Sequence, residues 1–98
     1  MKAVRFHDYG GLDVLQVDNI EKPFPEKGEI QVKVETAAIN PVDTYFRSGE
    51  YEVPNLPRVP GSDFAGTITE MGENVDRFEV GQRVFGTGLG VERFGSYS

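Results

Sequence analysis

Twelve glycines and six prolines break this 98-residue chain at short intervals, and that punctuation limits what it can fold into. Between the breaks lie short runs with apolar residues at every second position, the pattern of strands that bury one face. The clearest is Glu29-Ile30-Gln31-Val32-Lys33-Val34-Glu35-Thr36, with Ile30, Val32 and Val34 predicted inward and Gln31, Lys33 and Glu35 predicted toward solvent. Lys2 to Phe6 and Leu15 to Ile20 read as two shorter strands on either side of Tyr9-Gly10-Gly11. Phe64 to Met71 is another, with Gly66 marking a bulge or a close backbone approach. Glu26-Lys27-Gly28, Gly72-Glu73-Asn74 and Glu79-Val80-Gly81-Gln82 are tight turns, the last leading into Arg83-Val84-Phe85-Gly86. Pro54, Pro57 and Pro60 forbid a regular ladder between Tyr51 and Pro60, which predicts an extended surface loop. The glycine-rich tail reads as loop as far as Phe94-Gly95-Ser96-Tyr97, where a strand is predicted to begin. The expected fold is all-β with one or two short helices, a small, partly irregular barrel, because closure hides strand edges that an open sheet exposes.

Ninety-eight residues make a single domain, 1–98, and 38% hydrophobic with 27% charged residues is ordinary globular composition rather than that of a disordered or membrane-spanning chain. Ten Lys and Arg against sixteen Asp and Glu give a net charge of −6, so a nucleic-acid backbone is a poor partner. No stretch approaches the ~20 apolar residues of a membrane span, and Met1-Lys2-Ala3-Val4-Arg5-Phe6 lacks a signal peptide's apolar run. The absence of cysteine rules out disulfides, thiolate nucleophiles and cysteine-held zinc, and favours a cytoplasmic protein. His7 cannot build a metal site alone and reads as an exposed or strand-end histidine.

One polar cluster stands out, Asn40-Pro41-Val42-Asp43-Thr44-Tyr45-Phe46-Arg47-Ser48-Gly49. Asn40 suits a helix N-cap and Pro41 the first helical position, where a missing N–H has no partner to lose. A helix starting there carries Asp43 in its first turn, at the positive end of the dipole, and Tyr45 and Arg47 at its far end. A solvated connecting turn is the alternative.

Four segments in register resemble the start of a zinc-independent medium-chain dehydrogenase/reductase of the quinone oxidoreductase type. They are Gly10-Gly11-Leu12-Asp13-Val14-Leu15, Ala38-Ile39-Asn40-Pro41-Val42-Asp43-Thr44-Tyr45, Pro60-Gly61-Ser62-Asp63-Phe64-Ala65-Gly66 and Val80-Gly81-Gln82-Arg83-Val84-Phe85-Gly86. The resemblance implies a GroES-like, partly open β-barrel, the substrate-side domain of an enzyme whose Rossmann domain holds NADPH. It implies further that these residues stop before the strands that close the barrel, and that the Rossmann domain is absent from them. Gly86-Thr87-Gly88-Leu89-Gly90 is no dinucleotide fingerprint, because no helical pattern follows it. Zinc-dependent relatives carry a cysteine near the capped turn and a Gly-His-Glu triplet after it. This chain has Ala37-Ala38 and Gly61-Ser62-Asp63 there, so no metal is expected.

By the same resemblance Asn40, Asp43, Tyr45 and Tyr51 line the nicotinamide and substrate cleft. Tyr45 and Tyr51 are the catalytic candidates, as phenolic donors for the oxyanion that develops on a quinone or enone carbonyl. Asn40 and Asp43 are the cofactor-side candidates. Each has a structural alternative. Asn40 can be a cap alone, Asp43 can orient a ribose hydroxyl or a tyrosine or pair with Arg47 across one turn, and Tyr51 can be core packing. Ser62 and Asp63 are expected to satisfy local backbone. The isolated chain is expected to be inactive and to form a homodimer through open strand edges or segment exchange. A co-chaperonin-like subunit or an oligomeric interaction module without activity is the alternative reading.

Overall fold

The structure, a computed structural model, describes residues 1–87 and 95–97. In order it runs β1 (Lys2–Phe6), a 3-10 turn (Leu12–Val14), β2 (Leu15–Asn19), β3 (Ile30–Ala37), α1 (Pro41–Ser48), β4 (Phe64–Met71) and β5 (Arg83–Gly86). β1 and β2 form an antiparallel pair with Val4 opposite Val17, and β3, β4 and β5 form a second antiparallel sheet in that order. The architecture is mostly strand with one helix and small open sheets, as expected of the sequence.

β1 is hydrogen-bonded on both sides, which is why Ala3 and Phe6 lie in the core. One side meets β2, and on the other Val4 N–H donates to the Tyr97 carbonyl while Phe6 and Arg58 exchange both backbone bonds. With Val59 and Ile68 these residues form the buried apolar core, and full burial of side chains as large as Phe6 and Ile68 contributes about 1.5–3 kcal/mol each. Gly66 fills both predicted roles. The β3–β4 register slips between Val34 and Thr36 beside it, and a Cβ there would lie 2.1 Å from the Lys33 carbonyl oxygen. Gly28 and Gly81 take left-handed φ of 80° and 93° in the predicted turns.

Three expectations are corrected. Gln31 is buried rather than solvent-facing, because its amide donates to the Pro23 carbonyl and accepts from the Thr69 hydroxyl, satisfying both ends of a polar side chain in the interior. The proline-rich stretch is exposed only in its first part. Arg58, between Pro57 and Pro60, still has its N–H and C=O, makes one rung with Phe6, and draws residues 58–62 into the core. Gly95 to Tyr97 is not a strand. It is tied to the 59–61 segment by bonds from Gly95 N to Val59 O (3.0 Å) and from Tyr97 N to Pro60 O (3.1 Å). The rest of the predicted glycine-rich tail, 88–94 and 98, lies outside the described residues.

Candidate active site

α1 is eight residues long, and each end has a local cause. Asn40 is the N-cap in extended backbone (φ −122°, ψ 153°), Pro41 follows at the first helical position, and Gly49 stops the helix in the left-handed conformation (φ 89°). A helix of two turns is marginal on its own, so its orientation depends on what its ends hold.

The N-terminal end holds a buried polar network. Asp43 is only 7% exposed, and its carboxylate accepts from three separate stretches of chain: Asn40 N–H (2.8 Å), the Ser62 hydroxyl (2.9 Å) and the Tyr97 hydroxyl (3.0 Å). The Tyr97 oxygen also lies 2.9 Å from the Ala38 carbonyl. Beside this, Asp63 accepts from the Asn40 side-chain amide (2.7 Å) and from the Thr87 hydroxyl. Those two bonds, Thr87 first, hold the Asp63 carboxyl below the usual carboxylate range. Burial, and then the Asp43 carboxylate, push the Tyr97 phenol up to about 12. Tyr97 reaches this place because the backbone around it is glycine. Gly61 has φ 108°, and a Cβ there would stand 2.2 Å from Ser96 Oγ; one on Gly95 would stand 2.2 Å from the Val59 carbonyl oxygen.

The C-terminal end is different in kind. Tyr45 and Tyr51 pack edge to face with ring centroids 5.6 Å apart, and Phe46 also packs edge to face with Tyr51, at 5.7 Å. The pair is 39% and 52% exposed, and neither hydroxyl has a hydrogen-bond partner among the described residues. A Tyr51 N–H bond to the Tyr45 carbonyl (3.2 Å) curls the chain back so that the rings meet. Arg47 secures this end from below, its Nε donating to the Gly10 carbonyl and its carbonyl accepting from Gly10 N–H.

The four predicted residues therefore lie on one short helix and its exit, but in two environments. Tyr45 and Tyr51 sit together as half-exposed donors. Asn40 and Asp43 sit together in the network, where the tyrosine alternative for Asp43 is the one realised, with Tyr97 as the tyrosine; Arg47 pairs elsewhere. Ser62 and Asp63 bond side chains of the capped turn rather than only local backbone. Tyr97 was not expected here. Its partner Asp43 is 54 positions away, and no local pattern carries that contact. An open groove of about 510 Å³ between Val4, Val17, Val34 and Ile39 is also lined by Tyr97, but not by Tyr45 or Tyr51. His7, just past β1, bonds Asp18, whose carboxyl Arg5 and then His7 hold below its ordinary range. Among the described residues no three His, Asp or Glu side chains converge as metal ligands, the chain has no cysteine, and the Ser62 hydroxyl is committed to Asp43.

Among the described residues no helix is long and apolar enough to cross a membrane. Residues 26–96 match the alcohol dehydrogenase GroES-like domain. Quinone oxidoreductases of Lama guanicoe and Homo sapiens are each 45% identical, over 89 and 87 residues, covering 89% and 87% of this chain. The chain spans about a quarter of the length of these relatives (27% and 26%). The Escherichia coli quinone oxidoreductase complexed with NADPH superposes with a TM-score of 0.91 at 36% identity, over 100% of this chain and 29% of that one. A Pseudomonas syringae quinone oxidoreductase gives 0.90 at 38%, over 99% and 29%. The chain belongs to the alcohol dehydrogenase GroES-like domain family and is similar to part of the quinone oxidoreductases.

Proposed function

We propose that this chain forms the substrate-side wall of an NADPH-dependent quinone or enone reductase that works without zinc, in the cytoplasm. The observation that carries the reading is the Tyr45–Tyr51 pair, two adjacent phenols packed edge to face whose hydroxyls have no hydrogen-bond partner among the described residues. A reduced nicotinamide, when bound, supplies the hydride. Tyr45 and Tyr51 bind the planar substrate against their ring edges and donate hydrogen bonds to the carbonyl oxygen as negative charge builds on it. Asn40 stands on the cofactor side at the helix start, and Asp43 acts from behind it, through Asn40 N–H. The donor set at Ser62 and Asp63 does not fit a catalytic zinc, which needs about three converging ligands, so no step is routed through one. A nucleotide's pyrophosphate finds no strand–glycine turn–helix among the described residues, and its binding belongs to another part of the protein.

The test is NADPH oxidation by the full-length protein with a quinone acceptor. Tyr45→Phe and Tyr51→Phe each remove one hydroxyl and are expected to lower kcat about 10- to 100-fold. Wild-type rates in both variants would rule the phenols out as donors. The open edges of β2, β3 and β5 among the described residues, with Val17, Ile39 and Phe85 exposed beside them, also support pairing of the isolated chain with a second copy. Light scattering at micromolar concentration is expected to give the dimer mass, and a monomer removes that reading.

A further inference from the structure

We propose that Asp43, Ser62 and Tyr97 are positioning residues for the Tyr45–Tyr51 pair, one carboxylate clamping three stretches of chain and thereby setting the angle at which α1 presents its far end. The inference rests on the catalytic reading of that pair but concerns residues that do not touch the substrate.

The geometry points this way for three reasons. First, α1 is about 12 Å long, at 1.5 Å per residue, so a small tilt at its first turn becomes a displacement of comparable size at its last. Second, the described bonds reach the helix from outside at few points. Gly10 holds the Arg47 end, while the N-terminal end is held by the Ser62 and Tyr97 hydroxyls on Asp43 and by the Asn40–Asp63 bond. Third, the two clamp hydroxyls come from segments that are themselves tightly placed. Ser62 follows the positive-φ Gly61, and Tyr97 lies two residues after Gly95, where a Cβ would stand 2.2 Å from the Val59 and Pro60 carbonyl oxygens. A carboxylate taking three donors on two oxygens cannot reorient without losing at least one of those bonds.

This separates the network from ordinary bracing. A brace alone raises stability, whereas a positioning contact changes the turnover of a substrate that still binds. Tyr97→Phe and Ser62→Ala each delete a single donor and keep most of the packing, so both are suited to the full-length protein. Each is expected to lower kcat about 3- to 10-fold with KM for NADPH and quinone within about two-fold, assayed well below the variant's melting temperature. In protein labelled with 3-fluorotyrosine, the fluorine resonances of residues 45 and 51 are expected to shift in both variants. A lowered Tm with wild-type kcat and unmoved resonances overturns the inference and leaves the network a brace. A lowered kcat with unmoved resonances overturns it as well, since the loss then does not pass through the pair. Should the wild-type protein reduce no quinone, the resonances decide alone: a shift supports the clamp while the catalytic reading falls, and no shift overturns the clamp too.

Discussion

The two ends of α1, two helical turns apart, are built on opposite principles. At the first turn every oxygen of Asp43 and Asp63 is taken, the side chains are buried or half-buried, and the partners come from positions 40, 62, 87 and 97. At the last turn two phenols stand half in solvent with no polar partner among the described residues. A satisfied buried network is costly to disturb and inert toward ligands, because a newcomer must break bonds already made. Unpartnered exposed hydroxyls are cheap to change and available. On the proposed reading, the helix separates the group that must not move from the group that must be free to bind.

That contrast is most easily broken at Gly61. Gly61→Ala puts a Cβ 2.2 Å from Ser96 Oγ on a backbone of φ 108°, and the strain and overpacking are expected to cost about 2–5 kcal/mol. Denaturant titration measures it, and a loss under ~1 kcal/mol would show that the 95–97 segment is not pinned there. Next comes the alkaline limb. The folded Tyr97 phenol is raised to about 12 from 10.0, so its contribution is fully present below pH 10 and is lost as pH rises from there toward 12, where the unfolded chain ionises first. Melting temperature against pH should fall more steeply over that window in the wild type than in Tyr97→Phe, and parallel curves would contradict the burial of this hydroxyl. The smallest effect is expected at the other end. Tyr45→Phe and Tyr51→Phe, whose expected activity losses are large, should leave stability within about 0.5 kcal/mol, as exposed hydroxyls without partners among the described residues allow. A drop of 2 kcal/mol in either would mean that the pair is structural after all.

Much of the fold was legible because strand periodicity and turn chemistry are local. β1 and β4 occupy the predicted residues, the turns at Gly28 and Gly81 have positive φ, and Gly66 marks a bulge where a side chain would strike backbone. The misreadings share one cause. Gln31 looks like a solvent residue on alternation alone, yet its amide is satisfied by Pro23 and Thr69, and Thr69 lies 38 positions away. Arg58 looks like loop between prolines, yet its one rung to Phe6 makes it core. In each case a distant partner reversed a local preference, which periodicity does not register.

The candidate site divides in the same way. From the chain alone came the capped helix, because Asn40, Pro41 and Gly49 act through their own backbones, and with it the placing of Asp43 at the first turn and Tyr45 near the last. Only the tertiary structure decided what each end does. Whether a carboxylate is free or clamped depends on which donors other segments bring to it, and Ser62 and Tyr97 arrive by packing around Gly61 and Gly95 rather than by any spacing along the sequence. Short-range rules shape the helix, and long-range contacts determine which of its side chains are left available for chemistry.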